Sequence, residues 1–261
     1  MRAVASRFAA NMDNIISFLE VMAAAVQLGK ESIGQNRSRS AFQVAARRLH
    51  NTARTNIQGS GRFTLVALDG AFLTACAEFE LAVRDLIEAY VLRATLKCPQ
   101  YSNLPKEMRD WYPEGCARII LRLSTDKFSH LTQDAIVRSL ADTSKNRSHG
   151  LVCEAFSEHE RNFGPDEVDK CFHKRLGIRK VWQKLARDAP FQSAIGTTVS
   201  ERAEQIARMK LEDLLTKRNN VIHRGRTYYS PSESEVRESV EFLKALIGST
   251  GEIMEACLTA L

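Results

Sequence analysis

At 261 residues, the chain is long enough for a sizeable core, as one large domain or as a domain with an extension. Hydrophobic residues make up 44% and charged residues 26%, the balance of an ordinary soluble globular protein. The net charge of +6 permits an acidic partner such as nucleic acid without requiring one.

Six cysteines (Cys76, Cys98, Cys116, Cys153, Cys171, Cys257) are scattered singly. No Cys-x-x-Cys pair exists, so a zinc site at ordinary spacing is excluded, and neither metal nor cofactor is expected. Cys153 with His159, and Cys171 with His173, are better read as lone residues than as ligand pairs. The N-terminus is basic and alanine-rich, but Asn11, Asp13, Asn14 and Glu20 interrupt any apolar signal region. The most apolar piece, residues 21–26, is too short to cross a bilayer. Free thiols without a secretory signal predict a cytoplasmic protein that does not engage a membrane.

In chain order, residues 3–28 read as a helix with Phe8, Met12, Ile15, Ile16, Leu19 and Met22 on one face. A polar stretch with Gly29 and Gly34 ends it, and residues 41–57 form a second helical candidate carrying Arg47, Arg48 and Arg54. That basic run is more simply a solvated face than a phosphate contact. Gln58-Gly59-Ser60-Gly61 is the clearest hinge, so residues 1–60 read as an N-terminal helical extension and 61–261 as the main domain.

The longest helix runs from about Arg62 to Leu96. Leu65, Leu68, Phe72, Phe79, Leu86 and Tyr90 form one apolar lane, and Leu73, Cys76, Val83, Ile87 and Val91 another. A helix apolar on so many sides belongs at the centre of a bundle, and its excess apolar surface predicts a homodimer. Glu80 and Asp69 each interrupt an apolar lane and need a cationic partner. Glu78 and Asp85 lie on a more polar lane and are expected to be exposed.

Residues 100–198 are less regular and read as a helical insertion. Expected pieces are a helix over 104–123 broken at Trp111-Tyr112-Pro113-Glu114-Gly115, then short helices over 132–143, 151–159, 166–172 and 178–186. RNA could be gripped by this insertion; Trp111, Tyr112 and Trp182 suit base stacking, but suit core packing better. A helix beginning near Ser200 follows. The last helix is announced by a capping box, Ser232-Glu233-Ser234-Glu235, after Pro231, with Gly248 and Gly251 as possible kinks. No alternating strand pattern, glycine-rich phosphate loop or repeat is present, so the fold class is all-α.

The chain is organised around Lys217-Arg218-Asn219-Asn220-Val221-Ile222-His223-Arg224-Gly225-Arg226. Leu211, Leu214, Leu215, Val221 and Ile222 recur as one helix face requires. Arg218 falls inside that lane, and Asn219 and His223, four apart, share another face. A guanidinium aimed at a core must be paired or must snorkel outward. Glu80 is the preferred partner and Asp69 the rival.

Arg-Asn-x-x-x-His at the end of a penultimate helix, followed by a polar turn and a last long helix, resembles the HEPN superfamily. Two other stretches agree. Glu78-Phe79-Glu80-Leu81-Ala82-Val83-Arg84-Asp85-Leu86 looks like the family's earlier helix, which often carries an acidic residue facing the motif. Asn162-Phe163-Gly164-Pro165-Asp166-Glu167-Val168 to Leu176-Gly177-Ile178 resembles a segment of the RiboL-PSP-HEPN branch. The resemblance covers roughly residues 62–258 and implies a HEPN-like helical bundle.

It also implies a metal-independent endoribonuclease cutting RNA by 2′-OH attack. Such enzymes commonly bring two motifs together across a homodimer and often act as toxins or effectors in bacterial anti-phage defence. An antitoxin or another defence subunit is then a possible partner. Arg218, Asn219, His223 and Glu80 are the candidate catalytic residues, and Lys217, Arg224 and Arg226 the candidate RNA contacts. Histidine suits the proton transfers and arginine the phosphorane charge. Residue 225 is Gly, so the Arg-x-x-x-x-His-x-Tyr form silenced by nucleotidylation is absent. The rival readings are a non-catalytic HEPN module for nucleic-acid binding or dimerisation, and a helical adaptor without a nucleic-acid role.

Overall fold

The computed structural model describes residues 1–33, 62–158, 162–223 and 229–261. Within them, regular structure is helical throughout, with one isolated bridge between Gln100 and Arg147. The candidate helix over 41–57 and the glycine hinge at 58–61 lie outside the described residues. Four long helices dominate: α1 (Arg2–Ile33), α2 (Arg62–Lys97), α9 (Ser200–His223) and α10 (Glu233–Thr259). Between α2 and α9 lie α3 (Lys106–Ile120), α4 (Gln133–Ser144), α5 (Glu154–Ser157), α6 (Pro165–Asp169), a π-turn (Lys170–Arg175), α7 (Val181–Leu185) and α8 (Ala189–Ile195). The backbone forms two compact units, one of residues 1–8, 79–215 and 242–261, the other of 9–78 and 216–241. Each long helix contributes residues to both.

In the larger unit, Phe79, Leu86, Ile87, Tyr90, Val91 and Ala94 are all buried, as expected for a central helix. The start of α1 is fastened there by charge: the Met1 amino group lies 3.3 Å from Glu255 and Arg2 3.1 Å from Glu252. Arg7 pairs with Asp85. Asp85 and Glu78, expected on an exposed lane, are both half-buried. The polar lane of α2 is a docking lane, which its sequence does not distinguish from a solvated one.

Helix α3 runs through Trp111-Tyr112-Pro113 without the expected break. Proline deprives the carbonyl four residues earlier of its donor. That carbonyl belongs to Arg109, and the Tyr101 hydroxyl donates to it at 2.9 Å, so the helix continues with no orphaned acceptor. Tyr112 and Trp182 are fully buried, and the core reading of these aromatics holds. Trp111 Nε1 donates to Ala155 O at 2.8 Å, while the guanidinium groups of Arg175 and Arg118 lie 4.5 and 5.3 Å from its ring.

Arg175 is only 4% exposed and engages both terminal nitrogens of its guanidinium. It donates to Phe156 O at 3.2 Å, to Glu158 O, and to Glu167 at 2.7 Å, which offsets the desolvation of its charge. Buried Glu158 in turn takes Arg122 and Lys127. Pro165 opens α6 as expected, and Trp182 Nε1 donates to Pro165 O at 3.2 Å. Gly177 sits at φ +75°, where a side chain would be strained, and Ile178 N–H returns to Phe172 O at 2.8 Å. The cysteines are free thiols, and burial raises Cys116 to about 11 and Cys153 and Cys171 to about 12.

In the smaller unit, Met12, Ile15 and Leu19 of α1 are buried, as are Leu68, Ala71, Phe72, Ala75 and Cys76 of α2 and Val236 and Val240 of α10. Asn11 Nδ2 donates to Glu78 at 2.8 Å, which ties α1 to the polar lane of α2 here as well. Helix α10 runs uninterrupted through Gly248 and Gly251. No described helix is long and apolar enough to cross a membrane.

The contact between α3 and α5 yields a stability test. A Cβ added at Gly115 would meet Ala155 O at 2.3 Å, a backbone atom that cannot step aside. Gly115→Ala is expected to destabilise the fold by about 1–3 kcal/mol, despite alanine's better helix propensity. Urea unfolding measures it, and an unchanged or higher midpoint would show that the contact yields.

Candidate functional site

The motif occupies the last two turns of α9. Leu211, Leu214, Leu215 and Val221 are buried and fix that face of the helix. Ile222, expected in the same lane, is 46% exposed. Val221 takes the buried position, one residue or about 100° round the axis from Ile222, so the apolar lane closes at Val221. Arg218 is half-buried beside Leu214 and Leu215 in sequence, while Asn219 and His223 are exposed one turn apart. Arg224 and Arg226 lie outside the described residues.

Lys217 is half-buried and lies 3.0 Å from Glu235. Glu235 is the third helical residue of α10 and completes the capping box as expected. Its carboxylate accepts from Ser232 N–H and from Ser232 Oγ, each at 2.9 Å, while Glu235 N–H donates to Ser232 Oγ at 3.3 Å. The same carboxylate accepts from the Tyr229 hydroxyl at 3.1 Å. The Ser232 N–H foremost, and then Lys217, hold the Glu235 carboxyl well below the usual range, at about 2. One carboxylate thus joins the end of the motif helix, the segment after it and the first turn of the last helix.

A second tie lies beside the first. Asp69, 3% exposed on α2, accepts from Ser230 Oγ at 2.6 Å. Tyr229, Ser230 and buried Pro231 therefore hold the segment just before α10 against Glu235 and Asp69. The capping box is legible in sequence, but nothing in its spacing shows that Glu235 also serves Lys217 and Tyr229. Asp69 belongs to the same compact unit as the motif, whereas Glu80 is half-buried in the other. The two carboxylates sit eleven residues apart, about 16 Å along α2. Among the described residues, no group of three or more His, Cys, Asp or Glu side chains is placed to hold a metal ion.

The sequence profile of the RiboL-PSP-HEPN family matches residues 50–256. The chain belongs to the RiboL-PSP-HEPN family. The match takes in α2, the helical segments that follow it, the motif helix α9 and most of α10, in agreement with the all-α architecture. No curated protein and no solved structure matches this RiboL-PSP-HEPN chain.

The Glu235 junction carries a pH signature. Its folded value lies below the ordinary 4.5, so its stabilisation is full above that value and is lost as pH falls towards about 2. Glu235→Gln keeps an acceptor but removes the charge. It should lower stability at neutral pH by roughly 1 kcal/mol, the size of a lost cap. The difference from the parent should shrink progressively below about pH 4.5 in denaturant titrations. A difference that persists undiminished in acid would show that the charge does not carry the effect.

Proposed function

We propose that this RiboL-PSP-HEPN protein is a metal-independent endoribonuclease whose reacting groups are Arg218, Asn219 and His223. The observation that carries the reading is the placement of Asn219 and His223, exposed one turn apart at the end of a helix anchored by its buried face, with Arg218 half-buried beside them. Family membership supplies the context.

The chemistry needs a proton acceptor for the ribose 2′-OH, positive charge on the phosphorane and a proton for the departing 5′-oxygen. The 2′-oxygen attacks phosphorus, the bond to the 5′-oxygen breaks, and the products are a 2′,3′-cyclic phosphate and a 5′-hydroxyl. An imidazole suits either proton transfer because its unperturbed pKa is about 6.5. Arg218, always protonated, stabilises the phosphorane oxygens, and Asn219 orients His223 or donates to phosphate. One imidazole cannot be base and acid in the same step, so a homodimer that brings two motifs together supplies both roles. Exposed Ile222 beside His223 offers apolar surface for such an approach. Lys217, engaged by Glu235, serves RNA mainly through local positive potential together with Arg224 and Arg226. The biological setting we infer is that of a toxin or effector in anti-phage defence, acting in the cytoplasm and restrained by an antitoxin or another subunit. That step rests on family analogy.

The purified protein should cut single-stranded or loop RNA in EDTA, leaving 2′,3′-cyclic phosphate ends, and a 2′-O-methyl at the cut site should block it. His223→Ala should lower the rate about 10²–10⁴-fold while circular dichroism stays unchanged. Parent-like cleavage by a folded His223→Ala protein would rule out this site as the catalytic one.

A further inference from the structure

Seven Lys and Arg residues fall between positions 170 and 187, with no Asp or Glu among them. Ordinary surfaces intersperse the two signs, so a one-sign run needs an account of where its charges go. Arg175 is buried and spent on the core, and Lys170 lies 3.6 Å from Glu167. The remainder converge on the surface of the larger unit. Val181, Trp182, Leu185 and Ala186 face inward, which leaves Lys180, Lys184 and Arg187 along the outer side of α7 and its flanking turns. The Lys184 N–H bonds to Lys180 O and the Arg187 N–H to Lys184 O, so the three stand on successive turns of one face.

Arg179 continues this face and reaches Glu107 at 2.9 Å, and His173 is close enough to Glu107 to help lower that carboxyl. Lys174 follows His173, both exposed. Glu107 is thus one half-buried carboxylate among six basic side chains. Lys174, Lys180 and Arg187 have no acidic partner among the described residues. Lys184 contacts only the Cys257 sulfur there, at 3.3 Å.

Two features make this face costly for the fold alone. Lys180 holds φ +58°, a left-handed conformation that glycine or asparagine adopts with less strain. Lys180 and Lys184 are also like charges at the spacing of one helical turn, which is mildly repulsive. A solvated face gains nothing from either, whereas a regularly charged polyanion laid across it offsets both.

We propose that the face formed by His173, Lys174, Arg179, Lys180, Lys184 and Arg187 is a docking surface for the phosphate backbone of single-stranded RNA, separate from the motif. Its cations are exposed point charges on successive turns and meet phosphate rather than base edges, so it binds without reading sequence. The proposal rests on the ribonuclease reading for the choice of RNA over other polyanions.

The test uses the full chain carrying His223→Ala, to prevent turnover, and a fluorescent single-stranded RNA of mixed sequence. Lys180→Asn, Lys184→Gln and Arg187→Gln together remove three charges, with asparagine chosen because it tolerates the left-handed position. The slope of log affinity against log salt should become shallower by about 2, and affinity at 0.1 M salt should fall roughly 10²-fold. Lys184→Glu with Arg187→Glu, which leaves Lys180 untouched, should weaken binding further per residue changed. Both variants must match the parent in circular dichroism and melting temperature. Parent-like affinity and slope in folded variants would overturn the proposal, as would a parent that binds no RNA. Face-dependent binding to phosphatidylserine vesicles, with RNA binding unaffected, would overturn it in favour of a membrane. RNA binding that depends on this face in a protein that never cleaves would sink the nuclease reading and leave the surface standing. Cleavage through His223 with binding indifferent to the face would do the reverse.

Discussion

The structure depends on one long helix that buries more of its circumference than it leaves to water. From Leu68 to Ala94, α2 buries Phe72, Phe79, Leu86, Ile87, Tyr90 and Val91, while Gly70, Thr74, Ala77 and Leu81 keep one side exposed. At roughly 1.5–3 kcal/mol for each large side chain fully buried, this helix supplies a dominant share of the apolar driving force. The price is that every neighbour must bring an apolar stripe of its own. Along the lane of Glu78 and Asp85, α1 fastens through Asn11 and Arg7. Polar residues on a central helix thus select which partner helix lies on which side, while the apolar lanes provide the energy.

Where helices are short, the burden shifts to side chains that satisfy main-chain groups. Tyr101 replaces the donor that Pro113 lacks, Trp111 caps Ala155 O, Arg175 bridges Phe156 O and Glu158 O, and Trp182 reaches Pro165 O. None of these is a long-range ion pair on the surface, where solvent would reduce its worth. They are buried or half-buried bonds to carbonyls that would otherwise be orphaned, and removing a donor of that kind exposes the full desolvation cost of its partner. The segment between α2 and α9 can therefore be irregular in outline and still be fixed in conformation.

Much of this was legible in sequence, and the reasons are physical. Long amphipathic or all-apolar runs with caps announce themselves, so the central helix, the motif helix and the capped last helix fall close to their expected bounds. The motif could be read because its polar residues break an apolar lane. The departures have a common origin. By its local rule Pro113 breaks a helix, but a tyrosine a dozen residues away supplies what the rule assumes is missing. Glu78 and Asp85 carry the pattern of a solvated face, and pattern alone cannot tell a charged face that meets water from one that meets Asn11 or Arg7. Spacing alone puts both Val221 and Ile222 in the lane, and only packing decides that Val221 is the one buried. Tyr229 and Ser230 were passed over because their partners, Glu235 and Asp69, are fixed by tertiary structure.

The division of labour between Lys217 and Arg218 follows from what each cation can do. A lysine ammonium is a compact point charge on a flexible stem, well matched to one carboxylate oxygen, and Glu235 takes it. That pairing draws on the same carboxylate that caps α10, so the cation costs the fold no additional buried anion. It also sets the rotation of the last turns of α9, because a helix tethered at 217 and packed at 221 has no freedom to turn about its axis. With that rotation set, Asn219 and His223 must face outward. Arg218 lies about 60° round the axis from the packed Val221 and about 100° from Asn219, and is half-buried there. The exposure of the histidine thus follows from a lysine tether and a valine anchor on the opposite side of the helix.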